Sequence, residues 1–135
     1  MHALKLLAVY FLTLITFLAI DSVWLGLIAK DMYRRELGHL LAPNVRWGAA
    51  LVFYVIYIAG LLILVVLPHK GSPLLTVAAL GALFGLVAYA TYDLTNLATL
   101  TRWPLSVTLA DLAWGAVVTG VTAIAGRGYA RWLLT

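Results

Sequence analysis

Cysteine is absent from the 135-residue chain, and charged residues make up only 10% of it. Without cysteine the protein has no disulfide, no thiolate nucleophile and no zinc–thiolate site. A soluble domain carries about 25% charged residues, because a small globule has a large surface to keep in water. Since 64% of this chain is hydrophobic, it cannot cover such a surface. A soluble enzyme and a disordered segment are therefore both excluded.

Acidic residues are the scarcest charged type, with 5 Asp and Glu against 9 Lys and Arg, and the net charge is +4. In a soluble protein this excess would suggest nucleic acid as a partner. In so apolar a chain, basic residues are instead expected at lipid headgroups. We therefore expect the lipid bilayer, and no nucleic acid, to be the partner.

Four stretches are long and apolar enough to cross a bilayer, which takes roughly 20 residues for about 30 Å of hydrocarbon. They cover about residues 6–28, 47–67, 74–97 and 105–125. The first stretch is unlike a cleaved signal peptide, because it is longer than a typical signal core, contains Asp21 and precedes no small-residue cleavage site. We predict an all-α fold, with residues 1–135 forming one integral membrane bundle of four transmembrane helices.

The connections between these spans carry their own signals. Two prolines and a glycine predict a tight turn over residues 68–73. In the longer first connection four residues recur at helical spacing: Tyr33, Leu37, Leu40 and Leu41. That spacing predicts a short interfacial helix that ends at Pro43. Tryptophans that suit the headgroup layer fall at three predicted ends: Trp47, Trp103 and Trp132.

Basic residues are divided almost evenly between the two sides of the predicted bundle. The side that holds both termini has four: Lys5, Lys70, Arg127 and Arg131. The other side has five: Lys30, Arg34, Arg35, Arg46 and Arg102. A difference of one residue favours neither orientation under the positive-inside rule. It would also permit an antiparallel dimer.

Three of the five acidic residues lie inside predicted spans: Asp21, Asp93 and Asp111. An ionised carboxylate at the centre of a membrane helix costs about 2.5–3.5 kcal/mol, so each one needs a reason. Because adjacent spans run antiparallel, all three are predicted in the same half of the membrane, roughly 6–10 Å below one surface. Carboxylates that share a poorly hydrated pocket cannot all ionise cheaply. At least one is expected to hold a proton near neutral pH.

Polar and small residues follow the helical repeat on the third and fourth spans. Gly81 and Gly85 form a small-xxx-small motif that is typical of close helix packing in membranes. We predict a bundle closed by small residues at one end and opening at the other into a polar pocket. The candidate pocket residues are Asp21, Asp93, Asp111, Asn96, Tyr92, Tyr89, Thr95 and Thr108.

Each aspartate also has a purely structural interpretation. Asp21 could pair with Arg102 or with an arginine of the first connection, and Asp111 could accept hydrogen bonds from backbone amides near the start of its helix. Asp93 is harder to explain in this way, because its neighbours supply hydrogen-bonding groups: Tyr92, Thr95 and Asn96. No histidine lies within a span and no P-loop occurs, so we expect no metal site and no cofactor.

Two motifs surround the later aspartates. Tyr92-Asp93-Leu94-Thr95-Asn96 is followed by Trp103-Pro104, and then by Asp111-Leu112-Ala113-Trp114-Gly115. Together with Asp21-Ser22-Val23-Trp24-Leu25, these motifs resemble a family of small bacterial predicted membrane proteins, a domain of unknown function. The resemblance covers essentially the whole chain. It implies a four-helix, multi-pass protein of the bacterial inner membrane and no settled activity.

The first of three functional hypotheses is a small transporter or channel for a proton or cation. Asp93 would be its exchangeable proton site, with Asp21 and Asp111 as partners. Because a bundle of 135 residues has too few helices to enclose a wide pore, we expect a homodimer. The ligand would be a proton or a cation.

The second hypothesis is a lipid-modifying enzyme or its accessory subunit, with a lipid as ligand. Four arginines would hold a headgroup phosphate above the pocket, and the acids would bind Mg²⁺ or act as general bases. Those arginines are Arg34, Arg35, Arg46 and Arg102. The third hypothesis is a structural membrane subunit whose aspartates only hold helices together.

Overall fold

The computed structural model describes residues 1–135 and contains five helices and no strand. The helices are α1 (His2–Ile28), α2 (Lys30–Leu37), α3 (Trp47–Val66), α4 (Leu74–Thr99) and α5 (Leu105–Leu134). All except α2 are long and apolar enough to cross a membrane. The predicted all-α fold with four spans is therefore confirmed.

The last helix is longer than predicted, since α5 continues to Leu134 and does not end near residue 125. Gly126 does not stop it, because this glycine is buried against α1 and α3 inside the bundle. The extra turns bring Tyr129 to α1, where its hydroxyl lies 2.7 Å from that of Thr16. This contact joins the additional turns of α5 to the middle of α1.

The outward faces of the long helices are apolar and uncovered. Ile56 is 64% exposed and Leu75 is 80% exposed. Apolar faces of this extent are not stable in water, whereas lipid tails cover them without cost. The fold is that of an integral membrane protein.

The closest helix pair is α4 and α5, and glycines form its contact. A Cβ atom on Gly81 would lie 2.5 Å from the Cβ of Ala123 and 3.1 Å from the carbonyl oxygen of Thr119. A Cβ atom on Gly85 would overlap Thr119 and the carbonyl oxygen of Gly115. Only glycine permits this approach, so the small-residue motif makes the predicted helix contact.

The main core lies between the four long helices. It is filled by apolar residues from each of them, among them Phe17, Ile58, Leu61, Val77 and Val118. The second half of α3 packs against α4, and the Tyr57 and Phe84 ring centroids are 5.3 Å apart. The core therefore occupies the end of the bundle near the 68–73 turn, and the three buried aspartates lie toward the opposite end.

The short helix α2 folds over that opposite end. It stops at Leu37, earlier than the predicted end at Pro43, and Leu37 is buried against Trp103 and Val107. Because α2 covers its ring, Trp103 is a core residue and not the exposed headgroup anchor that its position in the sequence predicted. The other two tryptophans predicted as anchors, Trp47 and Trp132, are exposed. This packing also brings Tyr33, one turn before Leu37, onto the end of the bundle.

Candidate functional site

A cavity of about 440 Å³ lies at the end of the bundle that α2 covers. All five helices contribute to its wall, which is formed by Asp21, Trp24, Leu25, Tyr33, Phe53, Ala88, Tyr89, Tyr92, Asp111 and Trp114. Eight of these ten residues are hydrophobic or aromatic. The two carboxyl groups are the only charged groups in the wall.

Helical spacing explains why these side chains meet. Asp21 and Trp24 are three residues apart near the end of α1, and Asp111 and Trp114 repeat that spacing on α5. Residues three apart lie on the same face of a helix. The antiparallel packing of α4 and α5 adds Tyr89 from the neighbouring helix. Each helix thus turns one aromatic face toward the cavity.

Asp21 is held by two hydrogen bonds from neutral groups. Its Oδ1 accepts a hydrogen bond from the indole Nε1 of Trp114 at 2.9 Å, and its Oδ2 accepts one from the hydroxyl of Tyr54 at 3.0 Å. No cation is paired with it, because the only ion pair of the chain joins Arg35 to Glu36. The sequence-based alternative that pairs Asp21 with Arg102 or with an arginine of the first connection is therefore wrong.

Asp111 is held by the short helix. The hydroxyl of Tyr33 donates a hydrogen bond to its Oδ1, and the indole Nε1 of Trp24 donates one to the Tyr33 hydroxyl oxygen at 3.0 Å. Backbone amides at the start of α5 do not hold this carboxyl. The Trp24 and Trp114 rings stack with centroids 4.6 Å apart and planes 8° apart. The tryptophan of each Asp-x-x-Trp segment thus supports the aspartate of the other segment. Trp114 bonds directly to Asp21, and Trp24 acts on Asp111 through Tyr33.

Asp93 has a different environment. It is fully buried, and no hydroxyl, indole or backbone N–H group donates a hydrogen bond to either of its carboxyl oxygens. Its carboxyl lies within hydrogen-bonding reach of that of Asp111, which lines the cavity, and a hydrogen bond between the two carboxyls requires that one of them be protonated. The neighbours predicted to surround Asp93 with hydrogen-bonding groups do not bond to it. Since buried polar groups are normally hydrogen-bonded, packing alone gives no reason for a carboxyl at this position.

The structure brings only part of the candidate pocket to the cavity. Four of the eight candidates line it: Asp21, Tyr89, Tyr92 and Asp111. Thr108 is buried elsewhere, where its hydroxyl oxygen accepts a hydrogen bond from the indole of Trp103 at 3.0 Å. Asn96 is half-buried and Thr95 is exposed, and neither is part of the wall.

The candidate headgroup arginines lie outside the cavity. All four are exposed, and none belongs to the wall: Arg34, Arg35, Arg46 and Arg102. Arg35 is already paired with Glu36, with 3.3 Å between Nε and Oε1. The charge of the wall is therefore purely acidic.

Sequence reasoning missed several aromatic members of the site: Trp24, Phe53, Tyr54 and Trp114. The signal for the two tryptophans was present, because Asp-x-x-Trp occurs at both Asp21 and Asp111. Tyr33 lies in the first connection, and its role depends on how α2 folds back. No local pattern indicates that direction.

The family model of a predicted membrane protein family, DUF2177, matches residues 6–127. The chain belongs to this family. The matched segment contains the three membrane aspartates and every residue of the cavity wall. No curated protein and no solved structure was found to match the chain. Family membership gives a predicted membrane protein of unknown function, so the activity has to be inferred from the site.

Tyr33 makes the link between α2 and the cavity testable. Replacing Tyr33 with phenylalanine removes the hydroxyl that joins Trp24 to Asp111. We expect the free energy of unfolding to fall by about 1–3 kcal/mol, because a buried acceptor is left without its donor. Thermal unfolding in detergent, followed by circular dichroism, measures this loss. An unchanged stability would contradict the link.

Tyr33 should also make the stability of the protein depend on pH. Burial, and then the neighbouring Asp111, raise the pKa of the Tyr33 phenol above its ordinary value. The folded protein therefore holds this proton more firmly than the unfolded chain, in which a tyrosine has a pKa of about 10. The resulting stability is complete below about pH 10 and is lost as the pH rises above it. The wild type should lose stability above pH 10 more steeply than Tyr33→Phe, and equal slopes would contradict this assignment.

Proposed function

We propose that the protein is a small proton- or cation-linked transporter or channel in which Asp93 is the exchangeable proton site. The observation that carries this proposal is a fully buried carboxyl whose only hydrogen-bonding neighbour is a second carboxyl, that of Asp111, which lines a cavity. An unpaired carboxylate in an apolar interior is costly, and ionisable residues inside membrane helices are rare outside ion and proton pathways. Asp93 is suited to take up and release a proton.

Asp111 supplies the connection between this site and the cavity. It lines the cavity on one side and neighbours Asp93 on the other. Asp111 is therefore the group through which a proton from the cavity would reach Asp93. Asp21 belongs to the same wall and adds a second negative charge where a cation would enter.

The other two hypotheses have less support. A lipid-modifying enzyme needs its phosphate-binding arginines at the pocket, whereas all four candidates are exposed and outside the wall. A purely structural role suits Asp21, which accepts two hydrogen bonds. It does not explain Asp93, whose oxygens accept no hydrogen bond from a tyrosine, a tryptophan or a backbone group.

We further propose the bacterial inner membrane as the location and a homodimer as the active form. The resemblance of the motifs to small bacterial membrane proteins supports the location. The dimer is supported by the shape of the bundle, in which the main core fills the end opposite the cavity. A single bundle of 135 residues supplies few helices to enclose a pathway past this core, and a second copy would supply the others.

Proton movement by purified protein in liposomes tests the proposal. Vesicles that contain a pH-sensitive dye are given an inside-negative potential with K⁺ and valinomycin, with and without an opposing Na⁺ gradient. We expect the wild type to acidify the vesicles faster than protein-free liposomes do, and Asp93→Asn to slow this at least tenfold. The matched control is Asp31→Asn, the same change at an exposed acid of α2, which should act as the wild type.

Two results would overturn the proposal. The first is wild-type protein that moves no more protons than empty liposomes under either gradient. The second is Asp93→Asn protein that moves protons as fast as the wild type. Circular dichroism of each variant before reconstitution shows that a loss of flux does not reflect a loss of fold.

A further inference from the structure

We infer that the cavity binds an apolar organic cation, with its charge between Asp21 and Asp111 and its carbon surface against the aromatic walls. This inference rests on the proposed function and names the class of its substrate. It follows from the composition of the wall, from the unneutralised carboxyl groups and from the size of the cavity.

The wall combines aromatic faces with acids in a way that suits a cation. Trp24 and Trp114 form a stacked pair beside the two aspartates. The face of an indole attracts a cation that lies within about 6 Å of the ring, and tryptophan does so best among the aromatic residues. Tyr89, Tyr92 and Phe53 add further rings around the same space. A positive charge surrounded by carbon is therefore attracted by both parts of the wall.

Charge decides between a cation and other apolar ligands. The hydrogen-bond donors to Asp21 and Asp111 are all neutral: Trp114, Tyr54 and Tyr33. No lysine, arginine or histidine lines the cavity. An anionic lipid headgroup or a free phosphate would meet only repulsion at this wall, whereas a cation supplies the missing counter-charge.

The donor set also favours an organic cation over a metal ion. Ca²⁺ takes about 6–8 oxygen ligands, and Mg²⁺ demands a near-ideal octahedron. The chain has no group of three His, Cys, Asp or Glu side chains placed to hold a metal ion. Most of the cavity surface is carbon. A hydrated metal ion would have to give up water ligands to enter it, at a high cost in free energy. An organic cation needs only one or two carboxylates and otherwise gains from apolar contact.

The volume is appropriate for such a molecule. Cavities that bind drug-sized ligands measure roughly 300–1,000 Å³, and this one measures about 440 Å³. Tetraphenylphosphonium is a suitable probe, because its charge is enclosed by four phenyl rings. Tetraphenylborate has the same shape and the opposite charge. The pair separates recognition of charge from simple partition into detergent.

Calorimetric titration of both probes into the purified, detergent-solubilised protein tests the inference. We expect saturable binding of tetraphenylphosphonium and none of tetraphenylborate. Asp21→Asn and Asp111→Asn should each weaken binding at least tenfold. Asp31→Asn makes the same change at an exposed acid outside the cavity and should leave the affinity unchanged.

A variant that keeps every aspartate covers the case in which an Asp→Asn protein fails to fold. Ala88→Leu puts a larger side chain into the cavity wall, whereas Ala79→Leu makes the same change on an exposed face of α4. Only Ala88→Leu should lower the affinity for tetraphenylphosphonium, by at least tenfold. Equal binding of the two probes, or full affinity in both Ala88→Leu and Asp21→Asn, would overturn the inference.

The two proposals fail in different ways. Saturable, aspartate-dependent cation binding without any proton movement in liposomes would keep this ligand class and remove the transport function. Proton movement that depends on Asp93, without binding of tetraphenylphosphonium, would keep the transport function and remove this ligand class.

Discussion

Replacing Gly85 with alanine is expected to destabilise the bundle by about 1–3 kcal/mol, although it adds only one methyl group. The new Cβ would overlap the carbonyl oxygen of Gly115 and lie 2.5 Å from the hydroxyl oxygen and 2.6 Å from the Cβ of Thr119. Two of these atoms are fixed by backbone geometry and cannot move aside. α4 and α5 must therefore separate, and their separation loosens the helices that carry Asp93 and Asp111.

The matched control is the same substitution at Gly128, also in a helix. Nothing lies within 4 Å of the position that a Cβ atom would occupy there. Alanine is the better helix former, so Gly128→Ala should be neutral or stabilising by about 0.5–1 kcal/mol. Unfolding by sodium dodecyl sulfate in mixed micelles, followed by circular dichroism, measures both variants. Equal stabilities would show that close helix contact at Gly85 does not hold the bundle together.

This glycine contact was predictable because it is encoded by local spacing. Gly81 and Gly85 are one turn apart, and small residues at that spacing indicate a close helix neighbour whatever its identity. The four spans were predictable for a similar reason, since the thickness of the bilayer sets the length of an apolar helix. The end of α5 was not predictable, because a glycine such as Gly126 can end a helix or can pack inside a bundle, and the local sequence does not distinguish the two.

The partners of the aspartates could not be predicted in the same way. Tyr33 and Asp111 are 78 residues apart in the sequence, and Asp21 and Trp114 are 93 apart. Contacts at such separations depend on which faces of the helices meet and on where α2 folds. Antiparallel topology was enough to predict that the three aspartates lie near one another, since Asp21 and Asp111 share one cavity wall and Asp93 neighbours Asp111. It could not show that tyrosine or tryptophan donors would bond to Asp21 and Asp111 but not to Asp93.

The difference between Asp21 and Asp93 leads to the second large effect. Asp21→Asn should lower the free energy of unfolding by about 1.5–3 kcal/mol, because hydrogen bonds to a charged group contribute that much. The carboxylate accepts from both Trp114 and Tyr54. An amide can still accept from the Trp114 indole with its oxygen and can donate its N–H to the hydroxyl oxygen of Tyr54. Both hydrogen bonds then join neutral groups, and such bonds are about half as strong as those made to a carboxylate.

Asp93→Asn should not lower the stability, although it is the same chemical change at a more deeply buried aspartate. No tyrosine, tryptophan or backbone donor is lost at Asp93, and an amide can still donate a hydrogen bond to the neighbouring Asp111 carboxyl. A neutral amide also costs less to bury than an unpaired carboxylate. Unfolding of the two variants in mixed micelles gives the comparison directly. If both lose stability equally, Asp93 holds helices together as Asp21 does, and its role as a proton site falls. If only Asp21→Asn loses stability while Asp93→Asn loses proton movement, the first aspartate supports the cavity and the second acts within it.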